Sequence, residues 1–172
     1  MRLDEITIQR IATDTKRAFP NTGRENLPSS IAITSIIYDV YQPTNQIRCE
    51  ASVMSSGTAY TSIIEFLNVD FVDENDTTTQ QGVELIGTNT RTYRIVPMSV
   101  TVGDALVSCT CKDFRFRFAF YNFQKRCLYG NLPPQYVRRT QTRPPANPTK
   151  SIGMCKHLHA VVNTLRREGK VR

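Results

Sequence analysis

The sequence predicts an α+β fold with an N-terminal helix, an antiparallel β-sheet and a C-terminal module that ends in a helix. Apolar residues recur at helical spacing near both ends of the chain, over residues 4–18 and 154–167. Between them, much of residues 31–97 alternates apolar and polar side chains around turn residues. A cysteine-containing, basic segment follows. We therefore divide the chain into an α+β domain with a β-hairpin (1–104) and a C-terminal module (105–172).

The first helix is predicted over residues 4–18. An approximate apolar stripe runs along one of its faces, at Ile6, Ile8, Ile11, Ala12 and Ala18. Asp4 and Glu5 place negative charge where the first turn of a helix favours it. Pro20 and the polar stretch 20–30 are expected to end the helix.

Residues 31–72 are predicted to form strands, including a β-hairpin. Apolar positions alternate with polar ones in its first strand, at Ile47, Cys49, Ala51 and Val53. The sequence Ser55-Ser56-Gly57 is a turn signal before the second strand, within 58–72. Cys49 then lies on the inward face, where we expect a buried thiol and no metal ligand. Residues 73–82 are acidic and predicted as a loop, and 83–97 supply one or two further strands.

The C-terminal module begins with a predicted strand over 105–111. Residues 113–127 fit two structures, since phenylalanines alternate with other residues as in a strand, while Asp113 is a good helix N-cap. We prefer the helix. Five prolines make 128–150 an extended loop. The last helix is predicted over 154–167, and Gly169 is a plausible stop.

Charge is distributed unevenly along the chain, whose net charge is +7. Residues 1–108 hold 8 Lys/Arg and 13 Asp/Glu, whereas residues 109–172 hold 14 Lys/Arg and 2 Asp/Glu. Such asymmetry is typical of a surface that meets nucleic acid or an acidic protein, although a solvated basic face has the same composition. No apolar stretch approaches the roughly 20 residues of a membrane span, and the first ten residues have no secretory apolar region. We expect folding in a cytoplasm.

Five cysteines without a secretory signal argue against a disulfide framework and favour metal binding. Two tight pairs stand out, Cys109-Thr110-Cys111 and Cys155-Lys156-His157. Residues i and i+2 of a strand point to the same side, so the first pair can aim both sulfurs at one point. Cys155 then has to lie in the entry turn of the last helix, with His157 in its first turn. Three thiolates and one imidazole form a closed tetrahedral site that suits Zn²⁺.

Other ligand sets remain open at this point. His159 could replace His157, because positions i and i+4 face the same way if Cys155 is already helical. Cys127 could supply a fourth sulfur, and the set Cys109, Cys111, Cys127 and Cys155 could hold an iron–sulfur cluster. Zinc would join the strand 105–111 to the last helix and close the basic loop, which carries Arg138, Arg139, Arg143 and Lys150.

The pattern C-x-C, a long gap and C-x-H resembles the SWIM-type zinc finger. Here it reads CTC, 43 intervening residues and CKH, a gap longer than in many members. The stretches CTCKDFRFRFAF and NPTKSIGMCKHLHAVVNTL are similar to a group of small SWIM-like proteins of tailed bacteriophages. The resemblance covers residues 105–167. It implies that Cys109, Cys111, Cys155 and His157 bind zinc, and that the chain is a virion component of the neck, tail or baseplate, assembled in the host cytoplasm.

Three classes of function follow from these observations. A structural assembly protein, which contacts other virion structural proteins, is the first. The second is a nucleic-acid-binding zinc finger, because FRFRFAFYNF interleaves cations with aromatic rings that could stack on bases. Core packing of those phenylalanines is the simpler reading. An enzyme is disfavoured, since neither histidine has an evident carboxylate partner and the sequence has no HExxH motif or phosphate-binding glycine loop.

Overall fold

The computed structural model of this chain describes residues 5–23, 30–72, 82–137, 139–140, 142 and 144–172. It confirms the α+β class. The elements, in chain order, are α1 (Ile8–Ala18), β1 (Ile31–Tyr41), a 3-10 turn (Gln42–Thr44), β2 (Gln46–Ser55), β3 (Thr58–Leu67), β4 (Val83–Ile86), β5 (Thr92–Ile95), β6 (Ala105–Cys109), α2 (Lys112–Arg117), α3 (Ala119–Gln124) and α4 (Lys156–Arg167).

Four strands form an antiparallel sheet in the order β1-β2-β3-β6, and β4 and β5 form a separate hairpin. The predicted hairpin is β2–β3. Its two-residue turn has Ser56 at φ 49° and Gly57 at φ 77°, the pair of positive φ angles that suits the twist of a tight hairpin. Alternation along β2 places Ile47, Cys49, Ala51 and Val53 on the buried face, as predicted.

The first helix begins later than predicted, at Ile8, with Thr7 as its N-cap. The Thr7 hydroxyl oxygen accepts a hydrogen bond from the Arg10 amide. Glu5 and Ile6 lie before the helix because they are bonded to the segment that enters β6. The Ile6 amide donates to Asp104, and the Gly103 amide donates to Glu5. Asp4 and residues 24–29 of the predicted 20–30 stretch lie outside the described residues.

Residues 112–124 are helical, as preferred, but they form two short helices separated at Phe118. The predicted cap was wrong. Cys111 is the N-cap of α2, and its sulfur accepts the Phe114 amide. Asp113 lies in the first turn and pairs with Arg117. The strand predicted over 105–111 ends at Cys109 for the same reason, since the chain has turned into α2 by Cys111.

The described part of residues 128–150 contains no helix or strand beyond a single bridge at Leu128. Arg138 and Arg143 of the predicted basic loop, and residues 73–81 of the predicted acidic loop, lie outside the described residues. The last helix starts two residues later than predicted because Cys155 is its N-cap. Gly169 ends it at φ 67°, as expected for a C-terminal glycine.

One hydrophobic core joins the sheet to the helices. Helix α4 packs against β1, β3 and β6, and the core includes Ile11 of α1, Ile64 of β3 and Leu158 of α4. Strand β6 pairs with β3, so the sheet and the core run across the predicted boundary at 104/105, and that division stays a prediction. Within the described residues, no helix has the length and apolar character needed to cross a bilayer.

Candidate metal centre

Four potential metal ligands converge at one end of the sheet. The ligand atoms of Cys109, Cys111, Cys155 and His157 all lie within 4.8 Å of one another, and all four residues are buried. Two pairs of residues that are separated by at least 44 positions in the sequence are thus brought together at one buried point. The arrangement could hold a metal ion.

Strand β6 and helix α2 position the first pair of cysteines. Cys109 is the last residue of β6, opposite Ser62 of β3. The Ser62 hydroxyl donates to the Cys109 sulfur over 3.3 Å. Thr110 is fixed to β3 by its amide, which donates to the Thr61 carbonyl at 3.0 Å. The chain then turns so that Cys111 caps α2, and both sulfurs face the same point.

The second pair lies at the start of α4. Cys155 has extended backbone angles, φ −84° and ψ 170°, and His157 is the second residue of the helix. This is the placement that the CxH spacing predicted. Because Cys155 precedes the first turn, its sulfur lies at the positive end of a twelve-residue helix, whose field offsets part of the cost of ionising a buried thiol.

The segment before Cys155 is held by buried polar side chains. The Asn122 amide group donates to the Gly153 carbonyl and accepts from the Gly153 amide, both at 2.9 Å. The Met154 amide donates to the Thr15 hydroxyl at 2.9 Å, and the Asn147 side chain bonds to both backbone groups of Ser151. These bonds fix the backbone on which Cys155 approaches the other ligands.

His157 is oriented by an aromatic neighbour. Its imidazole stacks on the Tyr60 ring, with centroids 4.5 Å apart and planes 20° from parallel. Nδ1 lies 3.7 Å from the Cys109 sulfur. Nε2 is buried and has no hydrogen-bond partner within the part of the chain that the structure describes. The nitrogen that faces the sulfurs is therefore Nδ1.

Cys109 and Cys155 differ in how easily their thiols ionise. Hydrogen bonds from the Cys111 and Cys155 thiols lower the pKa of the Cys109 thiol well below its ordinary value. Burial raises the pKa of the Cys155 thiol well above its ordinary value. A thiolate is favoured at Cys109, whereas ionising Cys155 as well requires a cation that offsets the accumulated charge.

These residues fit a four-coordinate ion. Zinc–sulfur and zinc–nitrogen bonds of about 2.3 and 2.05 Å at a tetrahedral angle separate sulfur from nitrogen by about 3.6 Å, close to the observed 3.7 Å. Three sulfurs and one nitrogen are one of the donor sets that closed structural zinc sites use.

The remaining cysteines and histidine lie elsewhere. Neither Cys127 nor His159 belongs to the group of four. Cys127 is buried after α3, and burial raises the pKa of its thiol to about 12. His159 lines a cleft between α1 and α4 with Gln9 and Lys16. Cys49 is buried in β2, as predicted, and burial raises the pKa of its thiol.

Five residues that support the centre were not predicted from the sequence as part of it: Thr15, Tyr60, Ser62, Asn122 and Asn147. Asn122 did carry a signal, since a polar amide within the apolar stretch FAFYNF suggests a buried hydrogen-bonding role. The others are common polar or aromatic residues far from the ligands in sequence, and only the pairing of β3 with β6 brings Tyr60 and Ser62 near them.

The phenylalanines of FRFRFAFYNF divide between core and surface. Phe114 and Phe118 are buried, which is the simpler reading given above. Phe116 and Phe123 are 41% and 38% exposed. Arg115 lies over the Phe116 ring at 5.7 Å, and Tyr136 packs on the same ring at 5.1 Å.

Comparison with protein-family models, with curated proteins and with solved structures found no match in any of the three. The resemblance to the SWIM-type finger therefore rests on the residue pattern, and the placement of the four ligands rests on the geometry described above.

Proposed function

We propose that this chain is a non-enzymatic structural protein stabilised by one zinc ion, held by Cys109, Cys111, Cys155 and His157. The observation that carries the proposal is the closed, buried donor set of three cysteines and one histidine. Four protein ligands leave no coordination position for a substrate, which is the property that separates structural zinc from catalytic zinc. The ion's role is then to hold β6 and α2 against α4.

Zinc binding would offset the entropy lost when the chain between the two ligand pairs is closed into a loop. Residues 112–154 must be closed into a loop, and the described part of 128–150 contributes little regular structure to offset the entropy of closure. Structural zinc supplies on the order of 10 kcal/mol in small finger peptides. Lys112 and Arg115 are exposed near the first pair, and Lys156 follows Cys155, so cations are available to balance the net negative charge of three thiolates and Zn²⁺.

We further propose that the protein is an assembly component of a bacteriophage virion, in the neck, tail or baseplate, and that it contacts other virion structural proteins. The support is the likeness of CTCKDFRFRFAF and NPTKSIGMCKHLHAVVNTL to small SWIM-like phage proteins, together with the charge asymmetry of the chain. In purified particles of a phage that encodes this chain, mass spectrometry should find its peptides in fixed ratio to other virion proteins. Particles that lack them contradict the assembly role.

Metal analysis of purified protein tests the zinc centre. Wild type should contain one zinc per chain, and His157→Ala should lose it. His159→Ala and Cys127→Ser are the matched controls, because both positions lie outside the group of four, and both variants should retain the metal. The assigned centre is contradicted if wild type contains iron in place of zinc, or contains no metal. It is also contradicted if His157→Ala retains a full zinc content.

A nucleic-acid-binding role is the second candidate, and one observation favours it. Arg115, the exposed Phe116 ring and Tyr136 together present a cation and two aromatic rings at the surface, a combination that binds single strands by stacking and phosphate contact. If this role holds, affinity for a single-stranded oligonucleotide should fall steeply as salt rises and should be lost in Phe116→Ser. Binding that is absent at low salt excludes this role.

A further inference from the structure

An open apolar bowl lies beside the end of α3. It has a volume of about 640 Å³ and is lined by Phe120, Phe123, Gln124, Arg126, Leu128 and Leu132. Phe123 and Leu132 are 38% and 57% exposed. Four apolar side chains thus form a concave surface that is exposed to solvent in the isolated chain. Surfaces of this kind commonly bind an apolar side chain of a partner protein.

The frame of the bowl is fixed by backbone bonds. The Cys127 amide donates to the Asn122 carbonyl at 2.9 Å, which closes the turn after α3. The Val107 amide then donates to Cys127, and the Tyr129 amide donates to Val107, so Leu128 is attached to β6. Because β6 also carries Cys109, the bowl is built on the same strand as the metal centre. A preformed frame lowers the ordering cost of binding.

Charge at the rim is positive. Arg126 lines the bowl, and the neighbouring Lys125 is exposed. No carboxylate is among the lining residues. Two carboxylates lie in the elements around the bowl, and both are paired: Asp113 with Arg117, and Asp14 of α1, which lies close enough to Cys127 to act on its thiol, with Arg17. A ligand of this surface therefore gains from carrying negative charge next to its apolar part.

We propose that this bowl is a docking site for a protein segment that carries an aliphatic or aromatic side chain flanked by carboxylates. The inference rests on the proposed assembly function and names the chemistry of the partner. A nucleic acid fits less well. Two of the four apolar walls, Leu128 and Leu132, offer no flat face for a base to stack on, and phosphate backbones are usually met by a row of cations.

The test uses the full zinc-loaded chain and fluorescence anisotropy. The probe is a labelled peptide with one leucine and one phenylalanine between two pairs of aspartates. A matched peptide has asparagines in place of the aspartates, and a single-stranded oligothymidylate is the nucleic-acid probe. The acidic peptide should bind at least about tenfold more tightly than the neutral one, and Phe123→Ser or Arg126→Glu should each weaken that binding about tenfold.

Control variants lie in the β4–β5 hairpin, away from the bowl. Ile86 is 67% exposed and Arg91 is exposed, so Ile86→Ser and Arg91→Glu make the same chemical changes elsewhere and should leave binding unchanged. Three outcomes would overturn the docking proposal. The two peptides could bind with equal affinity, or Phe123→Ser and Ile86→Ser could have equal effects. The third is that only the oligothymidylate binds in a way that depends on Phe123. Zinc content is measured in every sample. If wild type retains zinc but does not bind the acidic peptide, the docking proposal is wrong. If wild type contains no zinc, the proposed function is wrong.

Discussion

Asn122 holds both backbone polar groups of Gly153. The side chain of Asn122 is fully buried in α3, and its carboxamide donates to the Gly153 carbonyl and accepts from the Gly153 amide, each at 2.9 Å. Gly153 lies two residues before Cys155. The pair therefore joins α3, which follows the first cysteines, to the segment that carries Cys155 and His157.

Asn122→Ala should destabilise the zinc-loaded protein by about 3 kcal/mol. The substitution removes two hydrogen bonds and leaves two backbone groups buried without partners, which costs more than the bonds alone contribute. Urea unfolding of the loaded protein measures the change. Asn163→Ala is the matched control, since Asn163 is exposed on α4, and its effect should stay within about 0.5 kcal/mol. Equal stability of the two variants would contradict a structural role for Asn122.

Gly153→Ala should lower both stability and zinc affinity. A Cβ at this position would lie 2.4 Å from the Phe118 ring and 2.8 Å from the Thr15 hydroxyl, so the segment before Cys155 must move away from α1 and α2. Overpacking of this kind costs typically 1–3 kcal/mol, about the range expected here. Competition with a zinc-binding dye reads the affinity.

The control for that experiment is Gly57→Ala. Gly57 lies in the β2–β3 turn with open space around it. Because it has a φ of 77°, alanine should strain the hairpin turn and lower stability while leaving zinc affinity unchanged. A Gly153→Ala protein that binds zinc as tightly as wild type would show that the close packing of Gly153 on Phe118 does not position Cys155.

Local signals in the sequence were sufficient for most elements and for the grouping of the ligands. The Ser56-Gly57 turn, the alternation of β2 and the CxC and CxH spacings each act over a few residues, and each predicted a feature that the structure contains. The supporting contacts are different in kind. Tyr60 stacks on His157 only because β3 pairs with β6 and α4 packs on that sheet. No local pattern records such a pairing.

The predicted boundaries of some elements were wrong for a related reason. Residues 105–111 have the composition of a strand, but the sulfur of Cys111 accepts the Phe114 amide and so begins α2. Cysteine is a rare N-cap, so the rule that favours Asp113 selected the wrong residue. At the start of α1, the Ile6 amide donates to Asp104 and the Glu5 carboxylate accepts from the Gly103 amide, and these tertiary contacts compete with helix formation.

Chelation should expose three of the five thiols. All five cysteines are buried, so the zinc-loaded protein should react slowly with iodoacetamide. A strong chelator should speed the alkylation of Cys109, Cys111 and Cys155 by at least about tenfold, because the metal no longer holds their segments together. Cys49 should stay slow, since β2 is paired on both sides. Mass spectrometry of the alkylated peptides gives each rate, and a Cys49 rate that rises with that of Cys155 would indicate that the metal stabilises the whole sheet.

Alkaline pH should destabilise the protein through Cys49. Burial raises the pKa of this thiol in the folded state, whereas the unfolded thiol ionises near its ordinary pKa of about 8.5. Above that pH the unfolded state binds fewer protons than the folded state, so stability falls as pH rises. One such group costs about 2 kcal/mol between about pH 8 and about pH 10. Cys49→Ala should therefore lose about 2 kcal/mol less than wild type over this interval, measured by urea unfolding at both pH values.

The control for the pH experiment is Val53→Ala, which removes buried volume from the same strand without removing a titratable group. It should lower stability equally at both pH values and leave the wild-type pH dependence intact. Comparing differences between the two pH values cancels the packing cost of each substitution and also the contribution of the metal-site thiols, which all three proteins share. If Cys49→Ala and Val53→Ala lose the same stability between the two pH values, Cys49 ionises in the folded state near its ordinary pKa, and β2 must then open to solvent far more readily than its pairing on both sides implies.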